Sequence, residues 1–403
     1  MAAVDAENRV ERLAELLVGF GANVQPDQIV AVGAEVGQEE LARAVAEQAY
    51  LRGARYVDAV YFDPWVKRAR IAHAAEETLS FVPSWYGARL LALGEQRCAR
   101  VHLAGTPSPG VLDGLDPARA GRDQLPFLKE VMTVIDARTT NWTIGPAPTP
   151  GWAGLVFPEL ESDAALERLW EDIIHVCRLD EPDPVAAWEE RSAALVGSAE
   201  RLSERRFDAV HFQGPGTDLT VGLLPSSTWG AARFETVDGI VHMPNLPTEE
   251  VFTSPDPERT EGSVRSTKPL LLQDGTFIRD LEVRFEHGRV TGLEASAGAE
   301  ALRGRTAFDE GAARLGEVAL VDREGRIGRL DHVFYTTLLD ENAASHIALG
   351  GAFESAVGEA DVPRLNRSGI HIDFMIGGDD VDVTGLTRAG ERVPVLRGGA
   401  WQI

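Results

Sequence analysis

The chain has 403 residues and a formal charge of −24, from 63 Asp and Glu against 39 Lys and Arg, with 44% hydrophobic and 25% charged residues. This is the composition of a globular protein too long for one ordinary core, so two domains are expected. The charge argues against nucleic acid and anionic membrane as partners, since both repel such a field, and suits a protein that attracts cations.

The first residues, MAAVDAENRVERLAELLVGFG, place no basic stretch before an apolar core, so no secretory signal is read. No apolar run reaches the ~18 residues of a membrane span. Cys98 and Cys177 are the only cysteines, too few for a disulfide framework, and a reducing, cytoplasmic location is expected.

Residues 6–20 carry Val10, Leu13, Leu16 and Leu17 on one helical face. GFGANV at 19–24 comes after that helix and lacks the glycine spacing of a nucleotide loop. Residues 28–35 read as a strand, 38–54 as an amphipathic helix closing near Gly53, and 55–63 as a second strand. Strand, helix, strand at this spacing is a βαβ unit and implies a parallel sheet. SWYGARLLALGEQRC, ARVHLAG and DQLPFLKEVMTVIDAR continue the alternation, giving an α/β domain over 1–190. The breaker-rich RLDEPDP comes next, with Asp183 and Pro184 as the cap and first turn of a long helix. Beyond it, FDAVHFQG, TDLTVGLL, GIVHMPN, GTFIRDLEVRFEHGRVTGLEAS and GEVALVD are strand-like and joined by turns. The second domain, 191–403, is therefore expected to be a β-rich α+β domain.

HExxH, GxSxG, Walker and CxxC patterns are all missing, so standard hydrolase chemistry has no local handle. What remains is a set of oddly placed polar groups. Glu249 and Glu250 lie between Pro247 and Pro255, which suggests a stiff, irregular segment. Glu317 interrupts the apolar LGEVALVD; read alone, it is a charge on an edge strand facing water. His346 sits in DENAASHIALGGAFESA, where Asp340 can cap a helix starting near Glu341. In GIHIDFMIGG, His371 and Asp373 stand two residues apart in an apolar run, so a strand would project both from one face. Burying them unpartnered would cost several kcal/mol; either they satisfy each other or a metal binds both. Imidazole and carboxylate without thiolate suit Zn, Co, Mn or Fe. Five such ligands exceed the needs of one catalytic zinc, and two ions sharing a carboxylate is the economical arrangement.

GPGTDLTVGL at 214–223, HMPNLPTEEVFTSPD at 242–256, LGEVALVD at 315–322, DENAASHIALGGAF at 340–353 and GIHIDFMIG at 369–377 occur in this order. Together they resemble the aminopeptidase T and aminopeptidase S family of metallopeptidases along nearly the whole chain. The resemblance implies a two-metal exopeptidase acting on short peptides, with Glu250, Glu317, His346, His371 and Asp373 as ligands. It also implies a homodimer in which the N-terminal domain covers the active site. Glu341, beside His346, is the candidate general base. The family pattern has a tyrosine where this chain has Phe353, a ring without the hydroxyl. Two alternatives stay open: a mononuclear iron dioxygenase using His346, His371 and Asp373, and a repurposed or inactive homologue, motivated by Phe353.

Overall fold

Four parallel strands organise the first part of the chain, in the order Tyr56–Phe62, Ile29–Glu35, Ala99–Ala104, Trp142–Pro146. The computed structural model describes residues 8–123, 125, 130–272, 275–330 and 332–403. By its contacts the chain divides into two compact units, Met1–Arg191 with Arg233–Thr248, and Ser192–Ala232 with Glu249–Ile403. The alternation expected from the sequence is present: the helix Glu39–Leu51 connects the first two strands and buries Leu41, Ala42, Val45 and Ala49. Val30 and Val32 on one face and Ala31 on the other are buried, so the inner strand is covered on both faces. The helix expected over 6–20 is α-helical at Arg9–Leu16 and closes in a π-turn over Leu17–Gly21, so GFGANV forms the end of a helix and not a strand-to-helix loop.

Residues 233–248 return to this first unit, so the division is not a single cut near residue 190. The reason lies in backbone pairing. Ile144 N–H donates to Pro244 O at 2.7 Å, Leu246 N–H to Ile144 O at 2.9 Å, and Met243 N–H to Gly21 O at 2.8 Å. The returning segment thereby covers the free edge of the Trp142–Pro146 strand. The helix Pro184–Arg205 starts where the sequence places it, with Asp183 Oδ1 accepting the Ala186 N–H at 3.0 Å. Among the described residues no helix is long and apolar enough to cross a membrane.

The second unit is built on antiparallel sheets. One has eight strands, ordered Arg289–Glu294, Glu282–Glu286, Pro255–Arg265, Thr217–Leu223, Ala209–Gly214, Asp382–Leu386, Arg392–Arg397, Ala400–Trp401. A second has four, ordered His371–Met375, His346–Gly350, Leu315–Val321, Glu250–Thr253, and Leu270–Leu271 pairs with Phe277–Ile278 in a small third sheet. The chain is thus an α/β unit succeeded by a β-rich α+β unit, as expected.

Two local expectations fail in the four-stranded sheet. His346 opens a strand and does not sit on a helix; the helical structure just before it is confined to Thr337–Asp340 and a 3-10 turn at Glu341–Ala343. Nor does Asp340 cap a helix running on through His346. Its carboxylate reaches back to accept the N–H groups of Phe334 at 2.8 Å and Thr336 at 3.1 Å. The alanines of this segment favour helix, but pairing with strands on both sides outweighs that local preference. Glu250 likewise lies in a regular strand, because Pro247 precedes it and Pro255 opens the next one.

Candidate metal centre

Register alone brings the five candidate residues to one face. Directly opposed residues of an antiparallel pair project to the same side. Val321 opposes Glu250, Ala319 opposes both Phe252 and His346, Ala348 opposes both Glu317 and Asp373, and Gly350 opposes His371. One face therefore carries Glu250, Glu317, His346, His371 and Asp373, with Ala319, Ala348 and Gly350 between them. The other carries Val251, Val318, Leu320, Ile347, Leu349 and Phe374, all buried, which anchors the register because a one-residue slip would exchange the two sets.

Glu317 reaches this face through a bulge. Leu315 opposes Leu349 while Glu317 opposes Ala348, so Gly316 is an extra residue between them. In a regular strand Leu315 and Glu317 would share a face; the bulge sends leucine to the core and glutamate to the site. Only glycine fits there, since a Cβ on residue 316 would lie 2.2 Å from Gly351 O and 2.4 Å from Gly350 O. Gly350, at φ +109°, makes room in the same way for the His371 strand. Glu317 is no edge charge facing water: its strand is paired on both sides and the side chain is buried.

Both imidazoles turn Nδ1 to the main chain, His371 to Gly351 O at 2.9 Å and His346 to Ala344 O at 3.2 Å. With Nδ1–H donated there, each Nε2 faces carboxylate. His346 Nε2 lies 3.1 Å from Glu250, and His371 Nε2 lies 3.1 Å from Glu317 and 3.2 Å from Asp373 Oδ1. That Asp373 oxygen is buried and has no hydrogen-bond partner, a costly state for a carboxylate in a protein interior. The donors fall into two groups, Glu250–Glu317–His346 and Glu317–His371–Asp373, whose ligand atoms lie within 4.8 Å of one another. Imidazoles anchored through Nδ1, with Nε2 directed at the same space as carboxylates, one of them orphaned, form a donor set that fits divalent cations. Because the grouping separates His346 from His371 and Asp373, it gives the iron-oxygenase alternative no support.

The electrostatics point the same way. Burial alone would lower the His346 imidazole, but its hydrogen bond to Glu250 and the charges of Glu250, Glu317 and Asp373 raise it to about 10. His371, also opposed by burial, is held well above its ordinary value by Asp373 and Glu317. Burial raises Glu317 against the pull of His371, with Glu250 and Asp373 adding to the rise. Asp373 is drawn below its ordinary value by His371 despite burial. Glu341 is pushed well up by burial, then by the charges of Glu250 and Asp373. Four carboxylates face two imidazoles, so the space is an attractor for positive charge even with both rings protonated.

Phe353 lies against this set. Its ring meets Phe252 edge-on at 5.6 Å and tilts over His371 at 5.2 Å, while its backbone N–H donates to Ser254 Oγ at 3.0 Å. No helix has to be broken to bring residue 353 near the histidines; a strand and a turn separate it from His346. Glu249, in contrast to Glu250, points away from the donor groups and accepts the Arg326 N–H through Oε1 at 3.2 Å. Sequence reasoning did not single out Gly316, Ala319, Ala348 or Asn342. The small residues were visible as alternate positions in VALVD and HIALG, a strand signal hidden by their helix-favouring alanines.

The chain is similar to several known aminopeptidases over its full extent. Aminopeptidase T of Thermus thermophilus is 42% identical over 99% of this chain and 100% of its own length. Aminopeptidase PepS of Streptococcus thermophilus is 36% identical, and aminopeptidase AmpS of Bacillus subtilis 34%, each over 98% of both chains. The solved structure of wild-type AmpT from Thermus thermophilus superposes with a TM-score of 0.89 at 40% identity, covering 98% of this chain and 100% of that one. A family model described as thermophilic metalloprotease (M29) matches residues 6–401. On these grounds the chain belongs to the thermophilic metalloprotease (M29) family, whose name entails the use of a metal.

Proposed function

We propose that the chain is an aminopeptidase that releases N-terminal residues from short peptides with the help of two divalent cations. Glu250 and His346 would hold one ion, His371 and Asp373 the other, with Glu317 shared. The observation that carries this reading is the sharing: Glu317 alone belongs to both donor groups. The relatives named aminopeptidase support the choice of N-termini. Imidazole and carboxylate donors without thiolate suit Zn, Co or Mn.

Bound there, such a pair supplies Lewis acidity toward a carbonyl and lowers the pKa of water toward neutrality. The protein's own groups do the rest. A carboxylate of the site would hold the free amino terminus of a peptide, which would account for exopeptidase selection. Glu341, in the turn just before the His346 strand, would take a proton from the attacking water and return it to the departing amine. The hydrogen bonds to Gly351 O and Ala344 O hold the imidazoles in one tautomer throughout. A homodimer is proposed on family grounds, with light scattering as its test.

Elemental analysis combined with a screen of aminoacyl anilides under Co, Zn and Mn tests the reading. Two ions per chain and hydrolysis of leucyl or arginyl anilide are expected. Glu317→Ala should abolish that hydrolysis with the fold intact, and retained turnover would rule out the site. One iron per chain would favour the oxygenase instead.

A further inference from the structure

We infer that Asn342 is a positioning residue that holds the Glu341 carboxyl in register with the Glu250 strand. The inference rests on the part proposed above for Glu341. Asn342 is fully buried in the 3-10 turn Glu341–Ala343. Its Oδ1 accepts the N–H of Glu249 at 2.6 Å, and Glu249 is the residue immediately before Glu250. Its Nδ2 donates to Leu338 O at 3.0 Å and lies 3.4 Å from Oε1 of Glu341. One amide thus joins the entrance of the Glu250 strand to the turn that carries Glu341.

The orientation of the amide is fixed by neighbours of opposite polarity. A flip would set NH₂ against the Glu249 N–H and oxygen against the Leu338 carbonyl. Closing the turn requires only the bond to Leu338. The acceptor on Glu249 and the second donor toward Glu341 are additional, and they point at a proposed metal ligand's neighbour and at the proposed proton carrier. Glu249 is itself pinned through Oε1 to the Arg326 N–H. On the other side of the turn Asp340 gathers the N–H groups of Phe334 and Thr336. The brace therefore runs between two segments that are each held independently, and Asn342 sets the offset between them. Serine cannot span both sides, and aspartate, equal in shape, has no donor.

A double-mutant cycle in the metal-loaded enzyme tests this, with leucyl anilide as substrate. Asn342→Asp keeps the acceptor for Glu249 and removes the donor that serves both Leu338 O and Glu341. It should lower kcat by at least about tenfold and move KM by less than about threefold, with metal content and a cooperative melt retained at a lower temperature. In a Glu341→Gln background the same change should have no further effect on kcat, because the group being positioned is gone. Asn342→Ala, which removes both ends of the brace without adding a charge, is the second variant should the aspartate fail to fold, and carries the same expectation. An unchanged kcat in either folded single variant overturns the inference. So does an equal drop in the presence and absence of Glu341, which would mark Asn342 as a packing residue only. Full activity in Glu341→Gln alone would instead remove the proposed proton carrier, and the inference with it.

Discussion

In the first unit Cys98 and Glu35 lie at the ends of separate strands, away from any carboxylate–imidazole cluster, and settle toward neutral forms. Cys98 is raised to about 11 by burial, and Glu35 is raised to about 7 by burial. In the second unit Glu317, Glu341, His346, His371 and Asp373 are crowded together with Glu250, and they pull on one another. An isolated buried group can shed its charge, whereas a crowded set cannot shed every charge at once. The parallel sheet of the first unit buries its inner strand Ile29–Glu35 and leaves much of the Tyr56–Phe62 strand exposed. The four-stranded sheet of the second spends one face on its core and leaves the other to chemistry. Separating the two cases needs perturbations of register, of free space and of single charges.

The largest effect is expected from Gly316→Ala. With two carbonyl oxygens inside 2.5 Å of the new Cβ, the bulge cannot persist, and a loss of about 3 kcal/mol or more is expected. Urea denaturation would read it, and metal content should fall with it because Glu317 loses its face. Wild-type stability in this variant would show that the bulge does not set the phase of the strand. Ala348→Leu comes next. Ala348 opposes both Glu317 and Asp373, so a larger side chain fills the gap between the two donor groups. Stability should change by less than about 2 kcal/mol, while turnover falls by about a hundredfold and fewer than two ions are retained. Full occupancy by elemental analysis would place the ions elsewhere.

Glu35→Gln probes the first unit. A carboxyl whose folded pKa is raised to about 7 from 4.5 binds its proton more tightly folded than unfolded. Its contribution is complete below about pH 4.5 and is lost as pH rises through 7. The glutamine variant should match wild type near pH 4 and exceed it by about 2–3 kcal/mol near pH 8. Paired thermal melts at the two pH values would detect this, and a constant difference would place Glu35 in solvent. The smallest effect is expected for Phe353→Tyr. The ring is held between Phe252 and His371, so kcat should move by less than about threefold. A gain far beyond that would show that the missing hydroxyl is limiting.

Much of this arrangement was legible in the chain. The HxD spacing placed His371 and Asp373 on one face, and the βαβ alternation gave the parallel sheet. What stayed hidden was set by partners far away in sequence. His346 looks helical because Ala343, Ala344 and Ala348 are helix formers, and only strands on either side make it extended. Glu317 looked like an edge charge because nothing local announces two flanking strands. The bulge at Gly316 is unreadable without knowing that carbonyls of residues 350 and 351 press against it. The return of 233–248 to the first unit also depends on a distant strand edge that offers it hydrogen bonds.

The two imidazoles take their orientation from peptide oxygens of Ala344 and Gly351. No side-chain replacement can delete either acceptor, so an alanine scan would pass over the very groups that keep these rings facing their ligand space. Their failure would come from the backbone, through a proline or an insertion that tilts one peptide plane, and would show as drift in ring orientation while every catalytic side chain was still in place.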